Sequence, residues 1–112
     1  MKKKEKSAAI NFKIDLDVNN VPEKITWDAT DSNVKNNPAK AVIISIWDGV
    51  AKSSLKIDLW TKEMMAEEMK FFTFQILDSL ASTYQRAVGD EKIAKEIKDF
   101  AEHIGRSSNI LK

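Results

Sequence analysis

The hydrophobic period of this chain changes at Thr61, and that change fixes the order of its secondary structure. Just before Thr61, apolar residues alternate with polar ones, whereas after it they recur every three or four residues. Alternation places apolar side chains on one face of a strand, and the longer interval places them on one face of a helix. A strand that ends at Trp60 is therefore expected to lead into a long helix, with the Thr61 hydroxyl capping its first turn.

Two more strands are predicted near the start of the chain. Residues 10–18 alternate between apolar and polar side chains, which is typical of a strand with one solvated face. Asn19, Asn20 and Pro22 supply turn-forming residues, and alternation resumes in a second strand that contains Trp27. Residues 29–38 are mostly polar, so we interpret them as the one substantial loop.

Residues 41–47 form an almost continuous apolar run, interrupted only by Ser45. Such a run is typical of a strand that is covered on both faces, so we expect it to be central in its sheet. Asp48 and Gly49 open a turn toward the strand at residues 54–60. The two hairpins together predict one four-stranded antiparallel sheet.

Two C-terminal helices are expected to pack on one face of this sheet, which makes the fold class α+β. The first spans residues 62–88 and the second ends near Gly105, with Gly89 ending the first helix and Asp90 capping the second. The first helix has two adjacent apolar stripes, which is more than one contact surface requires. Together with the edge strands, this surplus favours a homodimer over a monomer.

The length of 112 residues predicts a single domain over residues 1–112. Residues 1–7 are expected to be a disordered basic tail and residues 106–112 a loose tail. The net charge of +1 gives no reason to expect a nucleic-acid partner. No apolar stretch approaches the roughly 20 residues that cross a bilayer, and the N-terminal lysines lack the apolar run of a signal peptide. We therefore predict a cytoplasmic protein without an integral membrane segment.

The residues offer little catalytic or metal-binding chemistry. The chain has no cysteine, which excludes disulfides and thiolate catalysis. His103 is the only histidine, and Asp99 lies one helical turn earlier, where it could orient the ring as a general base. No nucleophile motif accompanies this pair, so an ordinary helix-terminal histidine is the favoured interpretation. Asp28 and Asp31 lack the spacing of a calcium loop. No catalytic, metal-binding or cofactor-binding residue is predicted, and the protein is expected not to be an enzyme.

The three tryptophans are the candidate interaction surface. Trp27, Trp47 and Trp60 each lie near the end of a predicted strand. Tryptophan is enriched among the residues that dominate binding energy at protein interfaces. Burial in the core is the favoured alternative, because it stabilises a domain without any partner.

Several segments identify the chain as a member of the gliding motility-associated protein C (GldC) family of Bacteroidetes. They are residues 21–27 (VPEKITW), 57–62 (IDLWTK), 68–72 (EMKFF) and 89–92 (GDEK). The resemblance covers nearly the whole chain. It implies a small protein that supports surface gliding, a motility coupled to a dedicated protein-secretion machinery, and it supplies no catalytic residue or cofactor.

Three hypotheses about function follow. The leading one is a non-enzymatic, cytoplasmic interaction module that binds a protein of the gliding or associated secretion machinery. An alternative, by analogy of fold, is a holdase chaperone for exported clients that is similar to the export chaperone SecB. A weaker alternative is a small-ligand binder or enzyme that uses Asp99 and His103.

Overall fold

The computed structural model describes residues 6–112, so most of the predicted basic tail at residues 1–7 lies outside the described residues. The fold is α+β and ends in two helices, as predicted. Its elements are β1 (Ile10–Leu16), β2 (Pro22–Ala29), β3 (Val34–Ala39), β4 (Ala41–Asp48), β5 (Ser53–Trp60), α1 (Ala66–Val88) and α2 (Glu91–Ser107). The strands belong to a first unit that ends at Met64, and the helices belong to a second unit, Met65–Lys112.

The described strands form two sheets, so the prediction of one four-stranded sheet is wrong. β1, β2 and β3 form a three-stranded antiparallel sheet in that order, and β4 and β5 form a separate antiparallel hairpin. The additional strand is β3, most of which falls in the predicted loop at residues 29–38. Its residues are mostly exposed, and apolar and polar side chains do not alternate along it. Its backbone pairs with β2 from Ala39 opposite Ile25 to Val34 opposite Ala29. Backbone pairing, which requires no apolar side chain, therefore makes this segment a strand.

Asparagine and aspartate make the turns of the three-stranded sheet. Asn20 in the β1–β2 turn and Asn33 in the β2–β3 turn have positive φ angles of 63° and 53°. Asn36 also has a positive φ, and its N–H donates to the Asp28 carboxylate. Asparagine tolerates this left-handed conformation better than most residues, which explains its abundance at these positions.

Thr61 ends the β4–β5 hairpin and does not cap the helix, so the predicted cap is wrong. Its N–H donates to the Lys40 carbonyl at 2.8 Å, which extends the pairing of the hairpin by one step. Thr61 is 3% exposed, and its buried hydroxyl has no hydrogen-bond partner. α1 begins only at Ala66, and the Glu68 carboxylate accepts a hydrogen bond from the Met65 N–H at 3.2 Å. The side chain that caps α1 is therefore that of Glu68 in its first turn, and not that of Thr61.

The connection between the helices follows the prediction. Gly89 has a φ of 77° and its N–H donates to the Gln85 carbonyl at 2.9 Å, so it ends α1 in the left-handed conformation. The Asp90 carboxylate accepts a hydrogen bond from the Ile93 N–H at 3.1 Å and caps α2.

α2 continues two residues beyond the predicted end near Gly105, to Ser107. Gly105 is buried, and a Cβ atom built on it would lie 2.5 Å from Leu111 Cδ1. The N–H groups of Ile110 and Leu111 both donate to the Gly105 carbonyl at 3.0 Å. The chain after α2 therefore folds back onto the helix at a position that only glycine leaves open. This arrangement differs from the loose tail expected for residues 106–112.

Candidate functional site

The β4–β5 hairpin has two chemically different faces, because residues that pair across an antiparallel ladder share a face. Its register is uninterrupted from Ala41 opposite Trp60 to Asp48 opposite Ser53. The aliphatic face consists of Val42, Ile44, Ile46, Leu55, Ile57 and Leu59. The tryptophan face consists of Ala41, Ile43, Ser45, Trp47, Ser54, Lys56, Asp58 and Trp60.

The aliphatic face is buried at one end and open at the other. Val42, near the base of the hairpin, is 9% exposed, whereas Leu55, near the turn, is 59% exposed. Ile46 and Ile57 are also about half exposed. A two-stranded sheet is only marginally stable when its apolar face meets water, so this open end is the weakly stabilised part of the hairpin.

The tryptophan face carries two exposed indole rings at its opposite ends. Trp47 is 66% exposed and Trp60 is 54% exposed, so the favoured interpretation that the tryptophans are buried does not hold for these two. At about 3.3 Å per residue, the Cα atoms of Trp47 and Ala41, the residue opposite Trp60, lie about 20 Å apart along β4. Lys56 and Asp58 lie on the same face, and their charged atoms are 3.2 Å apart.

Trp27 lies in a different environment. It belongs to β2 of the three-stranded sheet, where it pairs with Phe12 of β1 and Asn37 of β3, and it is half-buried. The structure therefore separates the three predicted site residues into two groups. Trp47 and Trp60 share one face of the hairpin, and Trp27 packs within the other sheet.

The turn of the hairpin is held by one aspartate. The Asp48 carboxylate accepts hydrogen bonds from the N–H groups of Val50 and Ala51, at 2.9 and 3.1 Å. Lys52 has a positive φ of 55°, and its N–H donates to the Asp48 carbonyl at 2.8 Å. The turn thus presents Val50, which is almost fully exposed, at the tip of the hairpin.

An ion pair between Asp17 and Lys62 holds the β1–β2 turn near the end of β5. The hydrogen bond from Lys62, with further bonds from the backbone N–H groups of Val21 and Asn19, lowers the pKa of Asp17 from 3.8 to about 2. The same hydrogen bond raises the pKa of Lys62. The spacing of Asp17 and Asn19 is a recognisable turn signal, but nothing in the sequence pattern predicts the distant Lys62 as the partner.

Next to this ion pair, a shallow groove of about 270 Å³ separates the β1–β2 turn from the end of β5. Its lining residues are Asn20, Val21, Pro22, Asp58, Leu59 and Trp60. The exposed Trp60 ring thus forms part of a concave surface. Concave surfaces with an aromatic wall are a common setting for binding anchors.

The predicted Asp99–His103 pair does not form a hydrogen bond in the described part of the chain. Asp99 instead accepts a hydrogen bond from the Lys95 ammonium at 2.8 Å, and the pairing raises the pKa of Lys95. The His103 ring lies 6.3 Å from the Phe100 ring, measured between centroids. Lys95 and His103 are equally far from Asp99 in the sequence, on opposite sides of it. The Asp99 carboxylate pairs with Lys95.

Residues 6–112 contain neither a cluster of metal-ligating side chains nor a membrane-spanning helix. No group of three or more histidine, aspartate or glutamate side chains lies close enough together there to hold a metal ion. No helix in this range has the length and apolar character required to span a bilayer. An open pocket of about 410 Å³ lies at the β2–β3 turn, and both Asp28 and Asn36 line it. The Asp28 carboxylate accepts a hydrogen bond from the Asn36 N–H.

The architecture of residues 6–112 defines a class of small α+β domain in which five strands form two sheets, one of them a tryptophan-bearing hairpin, and two helices follow. A family model described as gliding motility-associated protein GldC-like matches residues 22–110, and the chain belongs to this family. The match covers β2 to α2 and leaves β1 outside, and it confirms the family inferred from the sequence segments. A comparison with curated proteins and one with solved structures gave no significant match.

Proposed function

We propose that this protein is a non-enzymatic, cytoplasmic interaction module that binds a protein component of the gliding or associated secretion machinery through its tryptophan face. Membership of the GldC-like family supplies the association with gliding motility. The exposure of Trp47 and Trp60 on a single face of the hairpin is the observation that supports this binding surface.

The exposed area is large enough to matter energetically. Tryptophan side chains bury about 150–250 Å² each at interfaces, so the exposed fractions of these two rings correspond to roughly 240 Å² together. At about 25 cal/mol per Å², covering them contributes roughly 6 kcal/mol before the costs of association. Removing either ring should therefore weaken binding by roughly 10-fold to 100-fold, as at other interface hot spots.

Charges on the same face favour a protein partner with a matching polar rim. Lys56 and Asp58 lie between the two rings and are both exposed. Interfaces typically surround aromatic anchors with polar groups that fix orientation and add little net affinity. We therefore assign the affinity to the tryptophans and the orientation to the charged pair.

The test is quantitative capture of binding partners from a gliding bacterium that carries this gene. Tagged wild-type protein is compared with Trp47→Ser, Trp60→Ser and the matched control Leu55→Ser, which removes an equally exposed apolar side chain from the opposite face. A discrete partner should be recovered with the wild type and the control and be depleted at least 10-fold with both tryptophan variants. Equal recovery with all four folded proteins would show that the tryptophan face does not bind the partner.

The holdase alternative rests on a different observation. Large apolar side chains are exposed in both units, including Phe71, Leu80 and Phe100 on the helices. A holdase should suppress the aggregation of several unrelated denatured proteins, and this activity should survive Trp47→Ser. If a molar excess of this protein failed to prevent the aggregation of any client, the holdase alternative would be excluded. The interaction-module proposal would be unaffected.

A further inference from the structure

β4 is an edge strand that lacks the features by which edge strands usually avoid pairing. Within residues 6–112, four strands lie at sheet edges, namely β1, β3, β4 and β5. β1 carries Lys13 and an irregular register, β3 carries Pro38, and β5 carries Lys56. β4 has no lysine, arginine, proline or glycine, and its register with β5 has no bulge. Lysines, prolines and bulges protect edges against further strand pairing, so the edge of β4 is the unprotected one.

The backbone of β4 offers a regular set of hydrogen-bonding groups at this edge. The bond from the Thr61 N–H to the Lys40 carbonyl sets the phase of the β4–β5 ladder. Because bonded and non-bonded pairs alternate in an antiparallel ladder, the even-numbered residues of β4 bond to β5. The odd-numbered residues therefore direct their N–H and C=O groups away from β5. These residues are Ala41, Ile43, Ser45 and Trp47.

We propose that β4 pairs antiparallel with β4 of a second copy of this chain, with the two-fold axis at Ile44. The result is a four-stranded sheet in the order β5-β4-β4-β5 across the dimer. The observation that carries this inference is the unprotected edge, so it stands or fails independently of the proposed partner of the tryptophan face.

Side-chain complementarity selects this register among those that the backbone allows. With the axis at Ile44, Ala41 would lie opposite Trp47 of the second copy, which pairs the smallest side chain of β4 with the largest. The same register places Lys40 opposite Asp48 of the second copy, so that opposite charges meet at both ends. Moving the axis by one residue toward Ser45 would place Asp48 against Val42, and moving it toward Ile43 would place Lys40 against Ile46. Both shifts bring a charge against an aliphatic side chain, which disfavours them.

The dimer also accounts for the composition of both hairpin faces. On the aliphatic face, Ile57 and Ile44 of each copy would form one row across four strands, and a row of similar side chains would lie on either side. On the tryptophan face, Trp60 and Trp47 of the second copy would flank Ala41, so rings that lie far apart in one hairpin become neighbours. β4 then has a strand on each side, which is the central position that its apolar run favours.

Cysteine cross-linking tests the register directly, because the chain has no native cysteine. Ile44→Cys and Ile57→Cys are matched variants, since the two residues pair with each other and lie on the same face of the hairpin. A non-hydrogen-bonded antiparallel pair has a Cα–Cα distance of about 4.5 Å, which lies within the range for a disulfide. Under mild oxidation, Ile44→Cys should form a covalent dimer at least 10-fold faster than Ile57→Cys. Equal rates, or faster cross-linking of Ile57→Cys, would overturn the proposal.

Light scattering with edge-directed proline variants tests the dimer without a covalent bond. The wild type should have twice the 12.7 kDa monomer mass. Ser45→Pro removes an N–H that points to the second copy, whereas Lys56→Pro makes the same change at the other edge of the hairpin. Ser45→Pro should be monomeric and Lys56→Pro dimeric. A monomeric wild type, or a dimer that only Lys56→Pro disrupts, would refute pairing through β4.

A second variant covers the case in which Ser45→Pro fails to fold. Ser45→Glu places a carboxylate opposite Lys56 within the hairpin, which is favourable, and against Ile43 of the second copy in the dimer, which is not. It should retain the wild-type circular dichroism spectrum and dimerise at least 10-fold more weakly. A folded Ser45→Glu protein that dimerises as tightly as the wild type would contradict the proposal.

Discussion

Gly105→Ala is the substitution whose effect the structure defines most sharply. The new methyl carbon would lie 2.5 Å from Leu111 Cδ1, 2.8 Å from Leu111 Cγ and 3.1 Å from Phe74 Cδ1. All three distances are below normal contact distances, so Leu111 must leave its position on α2. Alanine also favours the helix by about 1 kcal/mol relative to glycine. Overpacking costs about 1–3 kcal/mol, so the net effect should be a loss of up to about 2 kcal/mol in the free energy of unfolding.

The assay is urea unfolding of four proteins: wild type, Gly105→Ala, Leu111→Ala and the double variant. With the Leu111 side chain truncated, the clash is largely removed and the helix preference of alanine remains. Gly105→Ala should therefore be destabilising in the wild-type background and neutral to stabilising, by up to about 1 kcal/mol, in the Leu111→Ala background. If Gly105→Ala stabilises both backgrounds by the same amount, then Leu111 does not pack on Gly105.

Three further substitutions test separate contacts. Because the pKa of Asp17 is lowered to about 2, its carboxylate stabilises the fold above about pH 4, and the contribution is lost as the pH falls toward 2. Asp17→Asn should therefore lower the urea midpoint at neutral pH, with a difference that shrinks below pH 4; a pH-independent difference would contradict the role of the Lys62 ion pair. Asp90→Ala removes the acceptor of the Ile93 N–H and should cost about 0.5–2 kcal/mol in thermal unfolding monitored by circular dichroism, whereas an unchanged melting temperature would argue against the cap. Thr61→Val removes a buried hydroxyl that has no partner, so it should be neutral or stabilising by up to about 1 kcal/mol in urea unfolding; a large loss would indicate a hydrogen bond to that hydroxyl.

Local sequence patterns predict the strands, helices and caps that depend on interactions between residues close in the sequence. The alternation of residues 10–16, the helical spacing after Met65, and the roles of Gly89 and Asp90 all follow from short-range periodicity and capping. The sequence does not predict β3, because its apolar and polar residues do not alternate and its structure comes from backbone pairing with β2. The helix start was misplaced because Thr61 is bonded to Lys40, a contact that no local pattern encodes.

The candidate site was predicted only in part, for a related reason. An apolar run such as β4 indicates that both faces of the strand are suited to burial, but it does not indicate which neighbour covers them. The sequence favours burial of the tryptophans, whereas the exposure of Trp47 and Trp60 depends on the β4–β5 hairpin forming a separate sheet. The competition of Lys95 and His103 for Asp99 is likewise decided by geometry, because both intervals are the same.

The most direct test of the central claim is gliding speed in a bacterium whose chromosomal copy carries the double variant Trp47→Ser/Trp60→Ser. The protein level is measured in the same cells, and Leu55→Ser serves as the matched control from the opposite face. The proposed function predicts that the double variant abolishes or strongly slows gliding at normal protein abundance, while Leu55→Ser glides at the wild-type speed. Wild-type gliding by the double variant at normal abundance would contradict a role for the tryptophan face.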